Sequence, residues 1–70
     1  MYSEIVRIRL KGERNKAGYK QRQLSQLTGI GQSKLSKIES GNQTADPETI
    51  GTLAQFYGVS TDYLFGFSQK

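Results

Sequence analysis

Gln32, Ser33, Ser36 and Lys37 are spaced so that one side of a single helix would carry all four. With Gln32 set at 0° and roughly 100° per residue, Ser36 falls near 40°, Ser33 near 100° and Lys37 near 140°, while Leu35 and Ile38 fall near 300° and 240°. Such side chains can hydrogen-bond to the edges of nucleic-acid bases. An amide can make a two-point pair with adenine, an ammonium can donate to guanine O6 and N7, and a hydroxyl can serve either. Any amphipathic surface helix also turns polar residues outward, so the pattern needs support from its surroundings. Covalent chemistry has no comparable set of residues. The chain has no His and no Cys, and its six acids are scattered. No nucleophile, acid–base pair or metal-ligand cluster can be read from that spacing. The expectation is a protein that is not an enzyme and needs no metal or cofactor.

The charges supply some of the missing support. Residues 7–37 hold nine bases against one acid, Glu13, a net of +8. Residues 38–69 hold Glu39, Asp46, Glu48 and Asp62 with no base, a net of −4. A solvated surface usually intersperses the signs, so this is a molecule with a basic face and an acidic remainder. A basic face of that density meets a polyanion: DNA, RNA or an anionic membrane surface. The start Met1-Tyr2-Ser3-Glu4 lacks the basic and apolar regions of a secretory signal. No apolar run approaches the roughly 18 residues of a membrane span. A cytoplasmic protein with no membrane partner and no evident small-molecule substrate is expected.

Seventy residues make one small domain. Residues 4–17 predict a first helix with Val6, Leu10 and Ala17 near one face; Ile5 and Ile8 do not join that stripe. Gln21 to Thr28 predicts a second helix with Leu24 and Leu27 inward, stopped by Gly29. After Gly29-Ile30-Gly31, residues 32–39 predict a third, with Leu35 and Ile38 inward. Asp46 as N-cap and Pro47 at the first helical position start a fourth helix. It runs to Tyr57 with Ile50, Leu53, Ala54 and Tyr57 inward. Ser60 caps a last turn over Asp62–Phe65, and residues 67–70 form a tail. The fold class expected is all-α, five short helices around one core.

Two short helices joined by a Gly-containing turn over about residues 20–39 make a helix-turn-helix, whose second helix enters the DNA major groove. The second helix adds its own argument. Lys20 near its N-cap and Arg22 in its first turn meet the positive end of the macrodipole, which disfavours cations. A phosphate at that end turns the liability into an attraction.

The runs Gly18-Tyr19-Lys20-Gln21-Arg22-Gln23-Leu24-Ser25, Gly29-Ile30-Gly31-Gln32-Ser33 and Leu35-Ser36-Lys37-Ile38-Glu39-Ser40-Gly41 resemble the Xre family of phage-repressor-like helix-turn-helix proteins. So does the ending Tyr57-Gly58-Val59-Ser60-Thr61-Asp62-Tyr63-Leu64-Phe65-Gly66, and the resemblance runs ungapped over about residues 6–66. It implies a five-helix, lambda-repressor-like domain that binds operator DNA, usually as a dimer and usually as a repressor. By the same resemblance Gln21 touches a phosphate and steadies the start of the recognition helix. Gln32, Ser33 and Lys37 read bases, and Ser40, Asn42 and Gln43 meet phosphates. Arg14 and Glu39 form a salt bridge between the first and third helices. Three positions depart from the pattern. Lys20 stands where a hydroxyl cap is usual. Ser25 replaces an Ala and needs a hydrogen-bond partner. Glu13 replaces a Leu, which weakens the expected anchoring of the first helix.

The combined expectation is sequence-specific binding of double-stranded DNA, most simply as a repressor on a palindromic operator. Gln32, Ser33, Ser36 and Lys37 would read bases, and Lys20, Gln21, Arg22, Lys34, Ser40, Asn42 and Gln43 would hold phosphates. A homodimer is expected through Leu64, Phe65 and Phe67, because neighbouring aromatics at the end of so small a domain exceed what one turn can bury. The competing arrangement folds Phe65 back beside Phe56 as core. The alternative function is an antitoxin-like or regulatory protein-binding module that uses the same domain for autoregulation.

Overall fold

A computed structural model of the chain describes residues 2–69, so Met1 and the Lys70 end of the expected tail lie outside the described residues. Five helices follow in order: α1 (Tyr2–Ala17), α2 (Gln21–Thr28), α3 (Gln32–Ser40), α4 (Pro47–Tyr57) and α5 (Thr61–Leu64). No strand occurs among the described residues, as the all-α expectation required. α1 begins two residues earlier than its periodicity suggested, and α5 begins at Thr61 rather than Asp62. No described helix is long and apolar enough to cross a membrane.

Local chemistry accounts for most of the ends. The Asp46 side chain accepts from the Thr49 N–H (3.2 Å) and from Thr49 Oγ1 (2.7 Å), which fixes the first turn of α4 behind Pro47. Ser60 Oγ accepts from the Tyr63 N–H at 3.0 Å and starts α5 in the same way. At α2 the Lys20 side chain makes no cap bond, but the Lys20 N–H donates to Gln23 Oε1 at 2.8 Å. That is half of a capping box, formed without the usual hydroxyl. α3 ends at Gly41, whose φ of +85° lies in the left-handed region that a Cβ disfavours.

The core is Val6, Leu10, Leu24, Leu35, Ile38, Ala45, Ile50, Leu53, Ala54 and Leu64. α1 lies against α3 and α5, α2 against α3 and α4, and α4 against α5. Two residues expected inward face out: Leu27 is 57% exposed and Ala17 is also exposed. α2 has only eight residues, and Leu24 is the one it buries fully. Glu13, expected to loosen α1, is buried instead. Its Oε2 accepts from the Tyr63 hydroxyl at 3.0 Å and pairs with Lys16 at 3.0 Å, so a polar bond joins α1 to α5 where a Leu would pack. Arg9 strengthens the same contact. One of its nitrogens donates to the carbonyls of Tyr63 (2.9 Å) and Ser68 (3.0 Å), and its guanidinium lies 4.4 Å from the Tyr63 ring centre.

Candidate nucleic-acid interface

α3 is held from behind and bare in front. Leu35 and Ile38 are each 2% exposed, while Gln32, Ser33, Ser36 and Lys37 are all exposed. The wheel expected from the sequence is the wheel observed.

The angle between α2 and α3 depends on the short turn between them. Ser25 Oγ donates to the Ile30 carbonyl at 2.6 Å, which supplies the partner its hydroxyl needed. Thr28 Oγ1 donates back to the Leu24 carbonyl (2.8 Å) and accepts from the Ile30 N–H (3.2 Å). The turn is therefore closed by two hydroxyls, and the role of Thr28 was not read from the sequence. A Thr at the last position of a helix, directly before the Gly that opens the turn, is the signal that could have revealed it.

The C-terminal half of α3 is fastened by Glu39. Arg14 Nε donates to Glu39 Oε2 at 2.8 Å and Arg14 Nη2 to Glu39 Oε1 at 2.9 Å, a two-point pair. Arg14 Nη1 donates to the Tyr19 carbonyl at 2.8 Å, so one guanidinium ties α1, the α1–α2 connection and α3 together. The bond to Glu39 raises the Arg14 pKa, against a smaller opposing effect of burial. Gln21 joins the group, with Nε2 donating to Glu39 Oε1 at 3.1 Å. Its amide thus steadies the C-terminal half of α3 through Glu39, where the resemblance implied its first residue.

The nine bases of residues 7–37 divide into two groups. Arg7 pairs with Glu4, Arg9 clasps the C-terminal turn, Arg14 pairs with Glu39, and Lys16 with Glu13. Lys34, expected at phosphates, has its ammonium 2.8 Å from Asp46 Oδ1 on the α4 side of α3, away from the face that carries Gln32, Ser33, Ser36 and Lys37. Lys34 and then Thr49 hold the Asp46 carboxyl well below the usual carboxylate range. Lys34 is thus held in an ion pair rather than free. Lys11, Lys20, Arg22 and Lys37 are exposed and have no ion-pair partner among the described residues. Three of these four lie on the helix-turn-helix. The loop after α3 is only partly available. The N–H groups of Asn42 and Gln43 both point back to the Lys37 carbonyl (2.9 and 3.2 Å), and Ser40 Oγ donates to the same oxygen at 3.0 Å. The side chains of Asn42 and Gln43 are exposed.

At the aromatic end Leu64 does not lie at the surface, as a place in the expected dimer contact required. Leu64 is 0% exposed and belongs to the core, so it has no surface to offer a second chain. Phe65 is half-buried against the core, where it lines a small hollow with Val6, Ala45 and Ile50. Phe56 instead stacks near Tyr19 and Tyr57, with ring centres 5.8 and 5.3 Å away. Phe67 is 64% exposed.

The helix-turn-helix family model matches residues 10–64 of the chain. The chain is 43% identical over 58 residues to the HTH-type transcriptional regulator ImmR of Bacillus subtilis (strain 168), a match that covers 83% of this chain and 46% of that protein. It is 38% identical over 56 residues to the SPbeta prophage-derived uncharacterized HTH-type transcriptional regulator YonR of the same organism, covering 80% of this chain and 52% of that protein. The chain thus spans about half the length of the curated relatives it matches.

Proposed function

The chain belongs to the helix-turn-helix family of the Xre type, and from that premise we propose that it binds double-stranded DNA sequence-specifically and represses transcription from a palindromic operator. The observation that carries this reading is α3, with four exposed hydrogen-bonding side chains on one face and apolar anchors and Glu39 on the other. A helix so held presents Gln32, Ser33, Ser36 and Lys37 to base edges at one fixed angle. Lys20, Arg22 and the side chains of Gln21, Asn42 and Gln43 flank that face and suit the phosphates, which set register without reading sequence. Both named relatives are transcriptional regulators, which supports binding over catalysis. A DNA partner implies a cytoplasmic location. Repression needs no chemistry, since an occupied operator excludes polymerase.

A palindrome calls for two copies, with half-sites about 34 Å apart. With Leu64 in the core, the dimer surface consists of Phe67, the outer side of Phe65, Ile5 and Ile8. Ile5 and Ile8 are 37% and 54% exposed. Ile5 lies so close to Gly66 that a Cβ there would stand 3.1 Å from Ile5 Cγ2, which joins the start of α1 to the aromatic turn as one apolar patch. Selection from a random duplex library tests the whole reading. The expected product is one motif, repeated in inverted orientation at one helical turn. Recovery of no enriched motif would overturn it.

A further inference from the structure

Arg7 belongs to the basic half of the chain but lies on α1, outside the helix-turn-helix. Its guanidinium is paired with Glu4 on the preceding turn of α1, and the side chain lies across Gly41. A Cβ at Gly41 would meet Arg7 Nε at 3.2 Å and Cδ at 3.3 Å. Gly41 ends the recognition helix. Arg7 is therefore a cation from the first helix standing at the glycine that caps the third.

That position matters because of the length of α3. Nine residues at about 1.5 Å each make a helix roughly 13 Å long, close to the width of about 12 Å of a DNA major groove. A helix of that length lying in the groove brings its ends near the phosphate strands that wall it. Beside Arg7, between the start of α1 and the loop after α3, is a cleft of about 170 Å³ whose lining includes Ser3, Glu4, Gln43 and Thr44. Glu4 is the acid at that cleft, and its side chain is 60% exposed against 32% for Arg7. A pair this open to water is weak.

We propose that Arg7 is a further phosphate-binding residue for DNA, with Glu4 as the internal carboxylate that a phosphate oxygen displaces; this rests on the DNA reading above. The guanidinium accepts a phosphate in the same two-point manner as a carboxylate, so the exchange needs little movement of the arginine. Contact with Gly41 keeps the side chain over the end of α3 during the exchange. Glu4 then weakens binding to every duplex alike and leaves sequence preference unchanged.

Affinity for the selected operator and for an unrelated duplex, measured by fluorescence anisotropy over a salt series, tests the proposal. The proteins are wild type, Arg7→Gln, Glu4→Gln and the double variant, with folding checked by circular dichroism. Arg7→Gln is expected to weaken both duplexes by roughly eightfold near 0.1 M salt and to lower the log–log salt slope by about 0.9. Glu4→Gln should tighten both, and that gain should vanish in the double variant. A strut that only held the α3 end in place would give no gain from Glu4→Gln. An unchanged slope in Arg7→Gln, or a Glu4→Gln gain that survives without Arg7, overturns the proposal while the DNA reading stands. A wild-type protein that binds neither duplex overturns both.

Discussion

Arg14 and Glu39, twenty-five positions apart, meet through two hydrogen bonds of 2.8 and 2.9 Å and fasten α3 to α1. Their side chains are 12% and 6% exposed, so water screens the pair little. Removal of either leaves the other charged and without its partner. Arg14→Ala or Glu39→Ala is expected to cost about 2 kcal/mol or more, and the double change less than the sum of the two. A double-mutant cycle by urea denaturation should give a coupling on the order of 1–3 kcal/mol. Coupling near zero would make them independent charges of little consequence.

The residues proposed to read bases and those proposed to hold phosphates should separate in a selection experiment. Gln32→Ala and Lys37→Ala are each expected to lose about 1–3 kcal/mol at the preferred base and to relax preference at that position alone. Lys20→Ala and Arg22→Ala should weaken all duplexes alike and shrink the salt slope by up to about 0.9 each. None of the four is buried, so their melting temperatures should stay near that of the wild type. If both recognition-helix variants keep the wild-type motif, α3 has been wrongly assigned as the reader.

Tyr57 gives the protein an alkaline limit. Its hydroxyl is buried with no hydrogen-bond partner among the described residues. Burial first, and then the nearby Glu39 carboxylate, push its pKa from 10.0 up to about 12. The folded state therefore favours the neutral phenol. The resulting stability is whole below pH 10 and is lost as pH rises through about 12. Tyr57→Phe should remove this loss and, by deleting an unsatisfied hydroxyl, stabilise the protein at neutral pH by about 1 kcal/mol. Thermal melts at neutral and alkaline pH would show both effects. A variant that is less stable at neutral pH would mean that the hydroxyl has a partner after all.

The apolar patch of Ile5, Ile8 and Phe67 should govern association. Sedimentation of wild type and of Ile5→Ser/Phe67→Ser, with and without operator, is expected to show two copies loading cooperatively for the first and independently for the second. Leu64→Ala is the contrasting change, because a fully buried leucine costs about 2–5 kcal/mol when truncated and should unfold the domain rather than only abolish cooperative loading. Unchanged cooperativity in the surface variant would place the dimer contact elsewhere.

Local chemistry made the elements legible. A capping Asp before Pro, a Ser before a short turn, and glycines after the last periodic residue act within one helical turn, so they can be read in a line of letters. The angular placement of Gln32, Ser33, Ser36 and Lys37 against Leu35 and Ile38 is legible for the same reason, since helical geometry sets it within nine residues. The Arg14–Glu39 pair lay beyond that range and came from the resemblance alone. What surrounds each helix is a different matter. Leu27 has the spacing of a core residue, but eight residues of α2 bury fully only Leu24. Glu13 looked like a fault in α1 until Tyr63, fifty residues later, provided its hydroxyl. Lys34 belonged to the basic half by count, yet Asp46 turns it to the far side of α3. Periodicity states the direction in which a side chain leaves its own helix. It does not state which other helix lies there, and burial and charge pairing depend on that packing, in which segments distant in the chain meet.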